Sequence, residues 1–374
     1  MTDDLLAVGI SHTTDDLLAV GFSHMTDDLL GEIFHHLCER GPLSLRDSLF
    51  VSKRFYTLAV NNAYLWTTIS LDSHFFHHFH QWPEQGIRFV EHCLLRSGSL
   101  PLSLYIDYSD IDARTLTPLL HPLETFGKPE WGGFQRCISL ILGAKREEAT
   151  TIQTLVNLLP KSLPSLKHLS LTSFNDLFGG SQFPNCPMLE RVEMLDHQRP
   201  SPHFWGTDFL QVTTLSFGNY DFDFWADFDL VTLSLFPMLH TLTLFTLRSV
   251  TALPRAGSRL PVIFEHLHIL RAYGYIPPVV LSKLVAPALE ELHLEANVDN
   301  VTSIHALQSL FEPRYQYIYV LLPQTVSVME PEWATNLSKL VQKCTRIRSL
   351  HISRWMEEEC KKFISGQDVV LRVQ

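Results

Sequence analysis

The hexapeptide LKHLSL (166–171) contains the pattern that decides the fold of most of this chain. Apolar residues occupy its first, fourth and sixth positions, and its last three residues alternate between apolar and polar. This alternation predicts a β-strand with one buried face, because successive side chains of a strand point to opposite sides. The first leucine packs where the chain enters the strand. A strand this short cannot bury its apolar face alone and therefore requires neighbours.

The same pattern recurs along the rest of the chain, with most starts 23 to 27 residues apart. Prolines stand two places before four of the copies and break the chain there. Two further strands are predicted at 100–107 (LPLSLYID) and 137–142 (CISLIL). Stacked copies would form a parallel sheet over a continuous core. The further copies begin at Leu189, Val212, Leu239, Phe264, Leu289 and Ile347, with a weaker copy at Tyr315.

One copy, LEELHLEAN (289–297), completes the form L-x-x-L-x-L-x-x-N and makes these repeats resemble those of leucine-rich-repeat proteins. The resemblance implies a degenerate leucine-rich-repeat solenoid with a parallel sheet over residues 100–374. The predicted fold class is therefore α/β. A non-repeating α/β domain with leucine-rich strands is the alternative.

A different repeat opens the chain: MTDDLLAVGISH, TTDDLLAVGFSH and MTDDLLGEIFHH stand in register. In the third copy Thr26 can cap a helix, and the aspartates that follow suit the helix dipole. In the first two copies Gly9 and Gly21 replace Ile33, which costs about 1 kcal/mol of helix stability. We therefore interpret residues 1–24 as a duplicated, poorly ordered leader. The apolar face of the third copy comprises Leu29, Leu30, Ile33, Phe34 and Leu37.

The residues after this helix predict two more helical segments. Gly41 and Pro42 end the first helix, a short segment follows through Leu43, Leu45 and Leu49, and a third helix spans residues 53–61. The segment YLW then closes a small three-helix bundle.

Residues 25–70 resemble an F-box, whose pattern is Leu-Pro-x-x-Leu-Leu-x-x-Ile-Phe, then a central Leu, Val-Cys-Lys-x-Trp and Leu-Trp. The corresponding segments here are MTDDLLGEIFHHL, LSLRDSLFVSKRF and YLW. Met25 and Thr26 replace Leu-Pro, Ser52 replaces the cysteine and Phe55 replaces the tryptophan. The alternative is an ordinary three-helix piece of a larger core.

The F-box resemblance implies the substrate-recognition subunit of a Skp-cullin-F-box ubiquitin ligase. In that role the bundle docks a Skp-type adaptor, and through it a cullin, while the solenoid holds an unknown target protein. The resemblance implies no catalysis by this chain and no cofactor. Some of the residues expected at the adaptor must instead hold the bundle together: Leu29, Leu30, Ile33, Phe34, Leu49, Val51, Phe55 and Trp66.

Residues that alternate with the inward leucines should point away from the core of the solenoid. If FEHLHI (264–269) and LEELHL (289–294) share one frame, His268 and His293 are lateral neighbours, with His266 and Glu291 beside them. A simple solvated face is the alternative to a binding surface. The residues predicted to contact a target are His266, His268, Glu291, His293, Tyr317 and Tyr319. The wider outward set adds His168, Ser170, Arg191, Glu193, Thr241, Thr243 and His351.

Residues 71–99 are predicted to be a linker with an amphipathic helix, GIRFVEHCLLR (86–96). Within the linker, HFFHHFH (74–80) clusters His74, His77, His78 and His80, but it has no carboxylate or cysteine. A half-buried aromatic connector is favoured over a metal site. The predicted apolar face of the helix comprises Ile87, Phe89, Val90, Leu94 and Leu95.

The segment NYDFDFWADFDL (219–230) alternates aspartates with aromatic residues. An acidic and aromatic surface for a basic peptide is one interpretation of this segment. We favour a connecting segment whose aromatic rings pack inward and whose carboxylates face solvent.

The composition excludes several classes of protein. A net charge of −11 argues against a nucleic-acid binder, which needs a basic face. The six cysteines form no C-x-x-C pair, and no apolar run approaches the ~18 residues that span a bilayer. A cytoplasmic or nuclear location, or both, is therefore expected. No common catalytic motif is present, so a non-degradative scaffold and a hydrolase or histidine-based metalloenzyme are the alternative functions.

Overall fold

The computed structural model divides the chain into two compact units. The helical unit comprises Met1–Tyr105 with Thr117–Cys137, and the sheet unit comprises Ile106–Leu116 with Ile138–Gln374. The leader (1–24) and most of the acidic-aromatic segment (220–229) lie outside the described residues. The structure describes residues 25–38, 41–45, 49, 52–107, 113–125, 132–143, 157–172, 183–195, 209–219, 230–246, 262–273, 284–295, 317–321, 349–352, 361 and 370–373.

Two capped helices begin the helical unit. Helix α1 spans Asp27–Leu37, and the Thr26 hydroxyl accepts a hydrogen bond from the Leu29 N–H at 3.4 Å. Helix α2 spans Lys53–Asn61 as predicted, and the Ser52 hydroxyl accepts from the Phe55 N–H at 3.1 Å. These side chains satisfy donors that the helix itself leaves unpaired.

The predicted middle helix is replaced, over its first part, by a 3₁₀ turn at Pro42–Leu45. The turn follows Gly41, whose φ of 100° lies in the left-handed region that favours glycine. A Cβ added at Gly41 would lie 3.3 Å from the Cβ of Ser70. Residues 46–48 lie outside the described residues, and Leu49 is helical and buried.

An apolar core holds α1 against α2. Leu30 and Phe34 are buried from α1, and the rings of Phe34 and Phe55 meet edge to face at 5.3 Å. Trp66, in the 3₁₀ turn Ala63–Trp66, donates its indole N–H to the Ala59 carbonyl at 2.9 Å. Burial of each large side chain contributes about 1.5–3 kcal/mol.

Residues 71–99, predicted as a linker, belong to the helical unit. They form helix α3 (Ser73–Phe79) and helix α4 (Pro83–Arg96), after strand β1 (Thr68–Leu71). The run of histidines therefore lies largely on helix α3. The Asp72 carboxylate caps this helix by accepting a hydrogen bond from the Phe75 N–H, and the Phe75 side chain is buried. The prediction for Leu95 is wrong: it is 64% exposed, and the buried position on α4 is taken by Cys93.

Arg136 ties the end of α4 to the segment that precedes strand β2 (Leu102–Asp107). Its guanidinium donates to the carbonyls of Leu94 and Leu100, at 3.1 and 2.8 Å, and to the Ser97 hydroxyl at 3.0 Å. Burial of the guanidinium lowers the pKa of Arg136. The three hydrogen bonds offset part of the cost of burying this charge.

Helix α5 (Ala113–Thr125) was not expected from the sequence, because it contains two prolines that usually interrupt a helix. Its leucines explain why the helix forms. Leu116, Leu119, Leu120 and Leu123 are all buried.

The sheet unit confirms the α/β class with a parallel sheet. In the order in which they neighbour one another, the sheet strands are β3 (Cys137–Gly143), β4 (His168–Thr172), β5 (Arg191–Leu195), β6 (Thr214–Asn219), β7 (Thr241–Thr246), β9 (Ile269–Tyr273), β11 (Glu291–Glu295), β12 (Tyr317–Leu321), β13 (Ser349–Ile352) and β14 (Val370–Val373). Each strand is parallel to the next.

The pairing register aligns the apolar residues of successive strands in rows. One row runs through Leu140, Leu169, Val192, Leu215, Leu242 and Leu270. All six of these side chains are buried. Each strand therefore completes the core of the strand before it, as the repeated pattern predicts.

One repeat is shifted from its predicted frame. The sequence suggested FEHLHI (264–269), but Leu270 pairs with Leu292 and Ile269 pairs with Glu291. The repeat is therefore LHILRA (267–272), three residues later. Phe264 is also buried, and it follows a short strand, β8 (Val262–Ile263), that pairs with β10 (Leu284–Val285).

We predict that Arg136→Met lowers the free energy of unfolding by about 2–4 kcal/mol, because two buried acceptors and one part-buried acceptor lose this donor. Thermal or urea unfolding of the full chain measures this change. Lys53→Met, at an exposed position, is the matched control and should change stability by less than about 0.5 kcal/mol. Equal effects of the two substitutions would contradict the proposed role of Arg136.

Candidate functional site

The structure sorts the residues predicted to meet an adaptor into two groups. Leu29 is 56% exposed, Leu37 is 40% exposed and Ile33 is half-buried, so these three present apolar surface on α1. We call them the α1 apolar face. Val51 lies outside the described residues. The remaining predicted residues are buried in the helical unit: Leu30, Phe34, Leu49, Phe55 and Trp66.

An ion pair fixes the start of α1 and therefore the direction of its apolar face. The Arg54 Nε donates to a carboxylate oxygen of Asp27 at 2.9 Å, and its Nη2 donates to the Met25 carbonyl. The Arg54 side chain, from α2, therefore holds the segment in which Thr26 stands at the position of the proline in the F-box pattern. Asp27 was singled out from the sequence for its place in the first helical turn, whereas its partner Arg54 was not.

The outward face of the sheet carries a polar network across β3, β4 and β5. The Ser139 hydroxyl lies 3.1 Å from His168 Nδ1, and His168 Nε2 lies 3.6 Å from Glu193 Oε2. Arg191 donates through Nε to Glu193 at 2.9 Å. The neighbouring His168 ring, and then the hydrogen bond and charge of Arg191, lower the pKa of Glu193 to about 2, although burial opposes the shift. Glu193 is therefore an anion throughout the physiological pH range.

Further along the same face, the corrected frame changes the neighbours of His293. Arg271 stands opposite His293 on β9, and Ile269 stands opposite Glu291. The His293 imidazole contacts the Glu291 carboxylate through Nε2. On the other side, Tyr317 pairs with Glu291 and Tyr319 with His293 in the backbone register, whereas the side chains of both tyrosines lie outside the description.

His268 lies beside the sheet face in a second row, which we call the pre-strand row. It comprises Lys167, Glu190, Thr213, His240, His268 and Glu290, linked laterally through backbone hydrogen bonds. The His268 ring meets the His240 ring at 5.5 Å, and its Nδ1 lies 3.4 Å from Glu290 Oε1. His266 is exposed, with its ring 6.3 Å from that of His240.

The prediction that His268 and His293 are lateral neighbours is therefore wrong. The three-residue shift places His268 before β9, and Arg271 takes the position that His268 was expected to fill. Neither Arg271 nor Ser139 was singled out from the sequence. Aligning the copies by their neighbouring leucines, with alanine allowed at the last apolar position, would have found Arg271.

Other chemistry is limited in the part of the chain that the structure describes. Among the described residues, no group of three or more histidine, cysteine or acidic residues is placed to hold a metal ion, including the histidines of α3. Burial raises the pKa of the Cys38 and Cys186 thiols to about 12, so these thiols are protonated at neutral pH. No described helix is long and apolar enough to cross a membrane.

Comparison with known proteins identifies no family for this chain. No protein-family model matches the sequence, and no curated protein matches it. Among solved structures, a crystal structure of a Bacteroides fragilis protein is similar with a TM-score of 0.33 and 13% sequence identity. The similarity covers 76% of this chain and 69% of that one. A likeness of this size supports no inference about fold or function.

We predict that Glu193→Gln lowers the free energy of unfolding by about 1–2 kcal/mol at pH 7, because the carboxylate that accepts from Arg191 and lies beside His168 is lost. The pKa of Glu193 is lowered from 4.5 to about 2, so its contribution is complete above pH 4.5 and disappears as the pH falls towards 2. Unfolding measured from pH 7 to pH 2 tests this dependence.

Glu190→Gln is the control, because the pair between Glu190 and Lys167 is exposed and contributes little. A Glu193→Gln difference that stays constant across the pH range would show that charge is not its cause.

Proposed function

We propose that this protein is the substrate-receptor subunit of a Skp-cullin-F-box ubiquitin ligase. In this role the helical bundle at 25–70 is an F-box that docks a Skp-type adaptor. The parallel sheet, a degenerate leucine-rich-repeat solenoid, holds a target protein. A held target reacts with the charged ubiquitin-conjugating enzyme at high effective concentration, so this chain needs no catalytic residue of its own.

The α1 apolar face is the observation that carries the proposal. Leu29, Ile33 and Leu37 recur at the spacing that places side chains on one side of a helix, and they lie beside the buried pair Leu30 and Phe34. Exposed apolar surface beside a well-packed core is typical of a surface that a partner covers. The Arg54–Asp27 ion pair fixes the start of the helix that carries this surface. The F-box resemblance supplies the identity of that partner.

The outward face of the sheet supports the receptor half of the proposal. Successive strands place different polar side chains side by side: Glu193 on β5, Thr243 on β7, Arg271 on β9 and His293 on β11. Such a row offers hydrogen-bond donors, acceptors and both signs of charge over a rigid surface. This chemistry suits a protein surface better than a nucleic acid, because it has no continuous basic stripe.

We predict that Leu29→Asp with Ile33→Asp weakens adaptor binding at least about 100-fold, since each substitution places a charge in an apolar interface. Binding of the full chain to a recombinant Skp-type adaptor is measured by calorimetry. The matched control is Asp28→Asn with Glu32→Gln on the same helix, at exposed positions, and it should bind within about threefold of the unchanged protein.

Circular dichroism of each variant must first show an unchanged fold. No binding by the unchanged chain, or equal binding by both double variants, would overturn the F-box assignment.

We also predict that Arg271→Glu with His293→Ala removes target capture and leaves adaptor binding unchanged, because these residues lie in the sheet unit. Captured proteins are quantified by mass spectrometry after purification of the chain with its adaptor. Lys167→Ala in the pre-strand row is the control. A capture profile that is the same for all three proteins would contradict the assignment of this face to the target.

Target levels after deletion of the gene separate the ligase from a non-degradative scaffold. Targets that accumulate support the ligase. Targets that keep their levels, with capture intact, support the scaffold.

A further inference from the structure

A cleft of about 120 Å³ opens in the helical unit between the 3₁₀ turn at Pro42–Leu45, α2 and α4. Neither the F-box resemblance nor the sheet face accounts for it. Apolar side chains line most of it, among them Leu43, Val60, Trp66 and Phe89. An apolar cavity of ~150 Å³ accommodates benzene, so this cleft is close to the size of one aromatic ring.

The walls of the cleft are preformed. The Trp66 ring is fixed by its hydrogen bond to the Ala59 carbonyl at 2.9 Å. The rings of Phe79 and Phe89, on α3 and α4, pack with centroids 5.8 Å apart. A ligand entering between these rings would not have to order them, which favours binding.

The described residues that line the cleft carry charge of one sign. Arg88, Arg96, His78 and His92 contribute to the lining, and none of the described lining residues is Asp or Glu. The Arg96 guanidinium carbon lies 4.9 Å from the centre of a Trp66 ring, a cation–π contact that holds the charge against the apolar wall. Burial, and then the charge of Arg96, lowers the pKa of His92, while Glu91 partly opposes them.

These observations complement a negatively charged ligand. A guanidinium group can bind a carboxylate through two hydrogen bonds, and Arg88 and Arg96 place two such groups in the lining of the cleft. The aromatic and aliphatic walls below them exclude charge. An occupant must therefore combine one anionic group with a compact apolar body.

We propose that this cleft binds a small aromatic carboxylate, with the ring between Leu43, Trp66 and Phe89 and the carboxylate at Arg88 and Arg96. The proposal does not depend on the ligase assignment. Its test uses no adaptor, so the two can fail separately.

The test measures binding of 3-phenylpropionate to the full chain by calorimetry, with 3-phenylpropan-1-ol as the uncharged match. The carboxylate should bind at least about tenfold more tightly than the alcohol. Arg88→Gln with Arg96→Gln should abolish that preference and leave alcohol binding within about twofold. Lys161→Gln, at an exposed position in the sheet unit, is the control and should behave as the unchanged protein.

Two variants test the location of the site. Leu43→Trp and Val60→Phe each fill the cleft from a half-buried position, and each should remove binding of both compounds. Using both variants guards against a folding defect in one of them. As a second readout, the bound carboxylate should raise the pKa of His92, seen in the pH titration of its ring protons, because a nearby anion favours the imidazolium.

Several results would overturn the proposal. They are the absence of saturable binding by 3-phenylpropionate, equal affinity for the carboxylate and the alcohol, and unchanged binding in both folded cleft-filling variants. A bound carboxylate that leaves the His92 titration where it was would place the ligand elsewhere and would also overturn it.

Discussion

The lateral pairing of short parallel strands is the constraint on which the sheet unit depends. A strand of about five residues buries too little apolar surface to exist alone, so each strand requires the one before it. The row from Leu140 to Leu270 meets this requirement, because each of its strands contributes one buried side chain at the same register position. The pre-strand row extends the constraint by one residue: the Thr213 carbonyl accepts hydrogen bonds from both His240 N–H and Thr241 N–H, and equivalent carbonyls do the same along the row. Outward side chains are free to vary because the backbone and the inward row already fix the register.

The helical unit is constrained differently, because its first helix, α1, presents apolar side chains both to the core and to the surface. Leu30 and Phe34 satisfy the core, while Leu29, Ile33 and Leu37 are left at the surface or its edge. The two sets are neighbours on the helix surface, so a rotation of α1 about its axis would turn the exposed set towards the core. The Asp27–Arg54 ion pair and the Thr26 cap act against such a rotation by fixing the first turn. A pair this exposed contributes little to global stability. Its importance lies in orientation.

Much of this architecture could be predicted from the sequence, and the failures have physical causes. The bounds of α2 and the strands at Leu166, Leu189 and Leu289 followed from periodicity, turn residues and caps. The frame at Phe264 was wrong because FEHLHI satisfies the pattern better than LHILRA, whose last apolar position is Ala272. Tertiary packing decided that case, since Leu270 had to meet Leu242 and Leu292. Helix α5 was missed because its prolines argue against a helix, whereas its four buried leucines outweigh them. The sequence could not sort the eight adaptor residues either, because exposure on α1 depends on where α2 lies.

The last described strand of the sheet, β14, has a neighbour on one side only. A strand in that position presents backbone N–H and C=O groups that can pair with a strand of another chain, which is the usual start of edge-to-edge aggregation. Two features of Val370–Val373 limit this hazard. The strand is only four residues long, and its sequence, VLRV, includes the charged residue Arg372. A parallel sheet that grows by the pairing of short strands needs such an edge, because its backbone hydrogen bonds can otherwise be extended by a strand of another molecule.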